Sequence, residues 1–167
     1  MKKTIFLGNM LITQLTREIP ENVKSFDTLM AKELEALSEL YSLSCSIAIT
    51  GYSLALQQNN EFKISSGHLL HHALNTYVSA VNTLRSGFRI QPNILIRNLI
   101  ETLATVFHLT VNQHDYEKYR KKEFKSTKAI NTLKKWIPIY GQIYGFFSDK
   151  FTHIGESYDK IEPVLPY

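Results

Sequence analysis

Apolar residues recur along this chain at the helical period rather than at the alternating period of strands. From Asn22 to about Gln58, the positions Phe26, Leu29, Met30, Leu34, Leu37, Leu40, Tyr41, Ser44 and Ile47 follow the i, i+3, i+4, i+7 pattern of one helix face. Glu33, Glu35 and Glu39 occupy the other face of its first half. Its second half loses charge, so the helix is predicted to run from surface into core, with Gly51 as a point where it can bend. QNNEFKISSG reads as a loop, and Ser65 or Ser66 can cap a second helix that runs to about Ser86 and stops before Gly87. Pro92 suits the first turn of a third helix, ending near Asn112, because its missing N–H costs nothing there. A fourth helix is predicted from His114 to Trp136. It begins with acids and ends with lysines, as the helix dipole favours, and Ile137-Pro138 ends it. A last helix covers about Tyr140 to His153. The expected fold is therefore all-α: an antiparallel bundle of about five main helices, one domain over residues 1–167, with residues 1–20 as an extension and 156–167 as a tail.

Charge refines this arrangement. Residues 64–113 carry only four charges, Arg85, Arg89, Arg97 and Glu101, whereas residues 114–135 carry eleven. The second and third helices should be central and the fourth peripheral. Glycine and proline number only 7 and 5, too few for a fold made of tight turns. The single cysteine, Cys45, sits in a charge-free run, which excludes an intramolecular disulfide and points to a reducing cytoplasm and a buried apolar role. The opening MKKTIFLGNM has a signal-like start but no small-x-small cleavage site, so it is read as mature protein. No segment is expected to reach the roughly 20 apolar residues of a membrane helix.

Four polar groupings stand out against this background. In IRNLIETLATVFH, residues 96–108, Arg97, Glu101 and His108 fall within about 40° on a helical wheel. Arg97 and Glu101 can pair at i, i+4. The pair fits either a buried register lock or a site in which Arg97 meets an anion and Glu101 orients it. On the second helix His68, His72, Asn75, Ser79, Asn82 and Ser86 form a neutral polar stripe, either a groove or a solvent face. His68 and His72, with Glu101 and His108 from the neighbouring helix, could hold a metal, although no Glu-x-x-His repeat supports one and no cofactor is otherwise implied.

The third grouping is YGQIYGFFSDKFTHIG, where Tyr144, Ser148 and His153 lie in an aromatic, nearly uncharged helix. A histidine there can serve as an acid–base group or as a C-terminal cap. The fourth is the predicted helix 114–136, with eight basic and three acidic residues. Its Arg120, Lys121, Lys122 and Lys125 can bind a phosphate backbone while interleaved rings stack on bases, or they can form a solvated face whose aromatics turn to the core. The chain's net charge of +4 is modest for a dedicated nucleic-acid binder. Phosphate loops, G-x-G-x-x-G, G-x-S-x-G, H-E-x-x-H and cysteine ligand sets are missing.

LIRNLIE (95–101) together with YGFFSDKFTH (144–153) resembles a group of bacterial all-α proteins of uncharacterised function, which carry R-x-x-x-E on a central helix and a late Ser…His. The similarity covers about residues 64–155. That group is similar in turn to the HEPN superfamily of small helical bundles in toxin–antitoxin and phage-defence systems, many of them metal-independent, dimeric ribonucleases. The resemblance implies His153 as the acid–base group, Glu101 as the acid and Arg97 as the stabiliser of phosphate charge, reached from a different helix. The family's arginine, separated from its histidine by four to six residues, has no counterpart, since residues 146–148 are Phe, Phe and Ser. The expected partners are RNA, an antitoxin or other protein, and a second copy of the chain.

Overall fold

A computed structural model describes residues 10–151. They form α1 (Met10–Thr13), a π-helical turn (Gln14–Glu18), α2 (Ile19–Leu29), α3 (Ala31–Gln57), α4 (Glu61–Arg85), α5 (Gln91–Val111), a 3-10 turn (Gln113–Asp115), α6 (Tyr116–Arg120), α7 (Ser126–Trp136) and α8 (Pro138–Phe151). No strand occurs among the described residues. The protein is all-α, as expected, but the division into about five helices is too coarse in two places.

The first is Met30, whose backbone (φ −108°, ψ 22°) separates α2 from α3. Gly51, by contrast, does not interrupt α3. The second is the charged segment. Residues 114–136 do not form one helix, because Lys122 takes a left-handed conformation (φ 60°) and the chain turns so that Phe124 packs on the core. The link between α3 and α4 is also shorter than QNNEFKISSG. Asn59 (φ 47°) makes the turn, and Asn60 rather than Ser65 or Ser66 caps α4, its Oδ1 accepting the Lys63 N–H at 3.0 Å. Gly87 (φ 90°) ends α4 in the left-handed conformation, where a Cβ would be strained.

α4 lies between α3 and α5, and α5 continues the packing onto α7 and α8. The core proper is Ile100, Ala104, Ala129, Ile130 and Leu133, with Phe107, Phe124, Tyr140 and Phe147 against it. α3 approaches α4 closely at Gly67: a Cβ there would stand 2.5 Å from Tyr52 Cδ2. Tyr52 packs edge-on to His68 and His71, and Tyr41 stacks on Tyr77. Asp27 on α2 takes the Arg85 Nε–H at 2.7 Å, which ties α2 to the end of α4.

One expectation about hydropathy needs correction. α5 is 21 residues long with a mean hydropathy of 1.4 over its most apolar window, long and apolar enough to cross a membrane by length and composition. In this fold it is the helix against which α4, α7 and α8 pack.

Candidate functional site

α5 and α8 bring together the two sequence stretches that stood out. Arg97 Nη2 lies 3.2 Å from Glu101 Oε1, one turn along α5. Tyr144 on α8 donates its hydroxyl hydrogen to the same Glu101 oxygen at 2.9 Å and accepts from Arg97 Nη2 at 3.3 Å. The guanidinium also sits 5.5 Å from the Tyr144 ring centre, within cation–π range. The Tyr144 hydroxyl, with a smaller contribution from Glu101, raises the Arg97 pKa above its ordinary value against the opposing effect of burial. Arg97 and Glu101 each leave a quarter of their side chain exposed. The cluster is net neutral and mostly satisfied internally; only Arg97 Nε is buried without a hydrogen-bond partner. Ser148 follows Tyr144 by one turn of α8 and is half-buried. His153, the expected acid–base group, lies outside the described residues.

His108 does not join this cluster. Although it shares the helical stripe of Arg97 and Glu101, it is 1% exposed and belongs to a second polar centre at the far end of α5. Its Nε2–H donates to Asp115 Oδ2 at 3.0 Å, and its Nδ1 lies 2.7 Å from Thr132 Oγ1 on α7. Lys128 Nζ donates to the same Asp115 oxygen at 2.6 Å, and Lys118 Nζ stands 3.3 Å from Oδ1. Lys128, then His108, hold the Asp115 carboxyl below the usual carboxylate range; burial opposes them and Lys118 assists. Thr132, His108 and Asp115 have the linear order of a nucleophile, base and acid. The histidine and the aspartate are 1% exposed, so no substrate can reach the histidine, and the centre is a tether of the 112–125 segment to α5 and α7. Sequence reasoning missed Asp115 as a buried acid. The available signal was an acid just past a helix end, followed by a dense run of lysines with few acids to pair them.

The metal alternative fares poorly. His68 Nε2 lies 3.3 Å from the Tyr52 hydroxyl, His72 is exposed, and His108 and Glu101 belong to separate polar clusters. Among the described residues no group of three or more His, Cys, Asp or Glu is placed to hold a metal ion. The neutral stripe of α4 is a solvent face rather than an inner groove: His68, His72, Asn75, Ser79 and Asn82 are all exposed.

The basic segment bends around Phe124. Arg120, Lys121, Lys122 and Lys125 are exposed; Arg120 is shared between Glu61 at 3.3 Å and Glu117 at 3.6 Å. Two shallow hollows flank Phe124. One, of about 480 Å³, includes Arg120, Lys122 and Ser126 in its lining; the other, of about 350 Å³, includes Lys118, Lys125 and Lys128. Tyr116, Tyr119 and Phe124 turn inward. Tyr116 meets Phe62 edge-on and hydrogen-bonds Ser65 at 2.7 Å, and Tyr119 and Phe124 pack on one another, so they offer no stacking platform for bases. Trp136 is 69% exposed, with one edge against Phe107.

Compared with known proteins, the chain matches no family model, no curated protein and no solved structure.

Proposed function

We propose that this protein is a cytoplasmic, HEPN-like helical bundle of bacterial defence or toxin–antitoxin type that binds RNA through the bend between α6 and α7. The observation that carries this reading is the charge at that bend. Among the described residues, Lys121, Lys122 and Lys125 are exposed and none has an acidic group at ion-pair distance; of the nearby acids, Asp115 and Glu117 pair with other cations, and Glu123 alone leaves the bend with a surplus of positive charge. Ammonium groups of this kind neutralise phosphates without reading sequence. The inward-facing tyrosines favour backbone contact over base stacking. If the protein cleaves RNA, His153 is the acid–base group, Arg97 stabilises the phosphate charge and Glu101 orients Arg97.

The test is binding of a single-stranded RNA followed over a salt series, with wild type and a Lys121→Gln, Lys122→Gln, Lys125→Gln variant. Three lost phosphate contacts should lower the slope of log affinity against log salt by about 2. An unchanged slope removes the bend as the RNA-binding surface. Cleavage that disappears in His153→Ala and survives EDTA would add the catalytic roles.

A second reading is a non-catalytic interaction module, with an antitoxin or another protein as partner. It is favoured by the Arg97–Glu101–Tyr144 cluster, which already satisfies most of its own charges and hydrogen bonds and so behaves as a lock between α5 and α8. Failure of the wild type both to bind and to cleave RNA would favour it.

A further inference from the structure

α3 carries two apolar seams, and the fold uses one. Tyr41, Cys45, Ala48, Tyr52 and Ala55 face α4 and are buried or half-buried. A second seam, about 100° around the same helix, comprises Leu37, Leu40, Ser44, Ile47, Gly51 and Leu54. Its spacing of 3, 4, 3, 4 and 3 residues is that of a helix packed against another helix. Its large side chains are open: Leu40 is 62% exposed, Ile47 64% and Leu54 49%. The seam borders a groove of about 440 Å³ between α3 and α5, floored by Leu70, Ala73 and Leu74 of α4. A helix hydrophobic on this much of its circumference belongs in an interior.

The order of residues along the seam identifies what covers it. Ile47 stands at the centre. Ser44 and Gly51, both small, flank it three residues before and four after. Leu40 and Leu54 lie seven residues away on either side. Between Leu40 and Leu54 the seam thus reads nearly the same in both directions, so each side chain meets one of matching size in an isologous contact. Around a two-fold axis at Ile47, Leu40 of one copy meets Leu54 of the other and Ser44 meets Gly51, whose Cβ direction is open, with nothing within 4 Å. Charge agrees over the paired stretch: residues 40–54 contain no Asp, Glu, Lys or Arg, so no like charges meet between the two Leu40–Leu54 contacts. Area agrees as well. Leu37, Leu40, Ile47 and Leu54 are between 39% and 64% exposed, and Leu43, beside the seam, is 58% exposed. Together they present roughly 500 Å² of apolar surface, at the upper end for a monomer's largest patch. Counted on both copies and with the groove walls, this approaches the roughly 1,200–2,000 Å² of a stable interface.

We infer that two copies of this chain pair antiparallel through the outer seam of α3, with Ile47 on the two-fold axis and each α3 lying along the α3–α5 groove of the other. The pairing does not rest on RNA binding, and the lysines of the bend take no part in it.

Sedimentation equilibrium of the full chain at micromolar concentration should give twice the 19.3 kDa chain mass. Gly51→Leu, which meets open space within one copy, and Ile47→Glu should each weaken the dimer by about 30-fold or more, the scale of an interface hot spot, with an unchanged helical circular-dichroism spectrum. In a Cys45→Ser background, Ile47→Cys should form an intermolecular disulfide under mild oxidation. Ser53→Cys, on the opposite face of α3, should not. A monomeric wild type overturns the inference in favour of residues 1–9 or 152–167, or a lipid surface, as the occupant. A dimer that survives both substitutions, or a failure of Ile47→Cys to cross-link, overturns the seam.

Discussion

The two ends of the helical layer are built differently. Where α5 meets α7 and α8, aliphatic and aromatic side chains close over a continuous core, and even a buried carboxylate is surrounded by His108, Lys128 and Lys118. On α3, 27 residues long, the only buried positions are Ala48 and Ala55, while Leu40, Leu43 and Ile47 are more than half exposed. The residue types do not explain the difference, since both regions are rich in Leu, Ile and Ala. What differs is the number of neighbours: α5 packs on three long helices, α3 chiefly on α4. A polar group can be buried only where enough elements converge to satisfy it, and apolar groups stay exposed where too few do.

Substitutions can break this contrast at graded strength. The largest effect is expected at the buried hub. Asp115→Ala should destabilise by about 3–5 kcal/mol, because it leaves the buried His108 and its lysine neighbours without their anion; chemical denaturation measures it, and a loss below about 1 kcal/mol would show that the hub is not a tether. Leu133→Ala, in the core of α7, should cost about 2–5 kcal/mol. Gly67→Ala comes next, at about 1–3 kcal/mol, since the new methyl must displace the Tyr52 ring from its histidine neighbours. Tyr144→Phe removes a hydrogen bond to a charged group and should cost about 1–3 kcal/mol; no change in melting temperature would reject the lock between α5 and α8. At the bottom of the series, Ile49→Ala and Leu56→Ala on the exposed flank of α3 should change stability by no more than about 0.5 kcal/mol. A large loss there would mean that α3 is covered on that side too.

Acid sharpens the same contrast. The carboxyl of Asp115 titrates lower in the folded chain than its usual 3.8. Its stabilisation is therefore fully present above that value and fades as pH falls below it, because the unfolded chain takes up the proton first. Melting temperature measured from pH 6 down to pH 2 should fall steeply in wild type below about pH 4, and less steeply in Asp115→Asn. Identical acid limbs would dissociate Asp115 from acid unfolding.

Much of the architecture was legible in the residues. The helical period, Pro92 at the start of α5, Gly87 at the end of α4 and Ile137-Pro138 at the end of α7 set boundaries by local backbone chemistry that tertiary packing did not override. The pairing of Arg97 with Glu101 followed from i, i+4 spacing alone. Less legible was the split of the charged segment. Its composition suits a helix, and what breaks it is Asp115 and Phe124 turning inward to His108, 7 and 16 positions away along the chain.

By itself, then, the sequence determined the all-α class, several helix ends and the places where charge is scarce or dense, because capping, proline geometry and amphipathic period act over a few residues. Only the tertiary structure decided that His108 belongs with Asp115 and not with Arg97, that Tyr144 completes the Arg97–Glu101 pair, and that the second seam of α3 has no partner among the described residues of its own chain. The wheel angle of a residue states its direction from the helix axis. What stands in that direction depends on how other helices cross at that height, and that is a property of the packing.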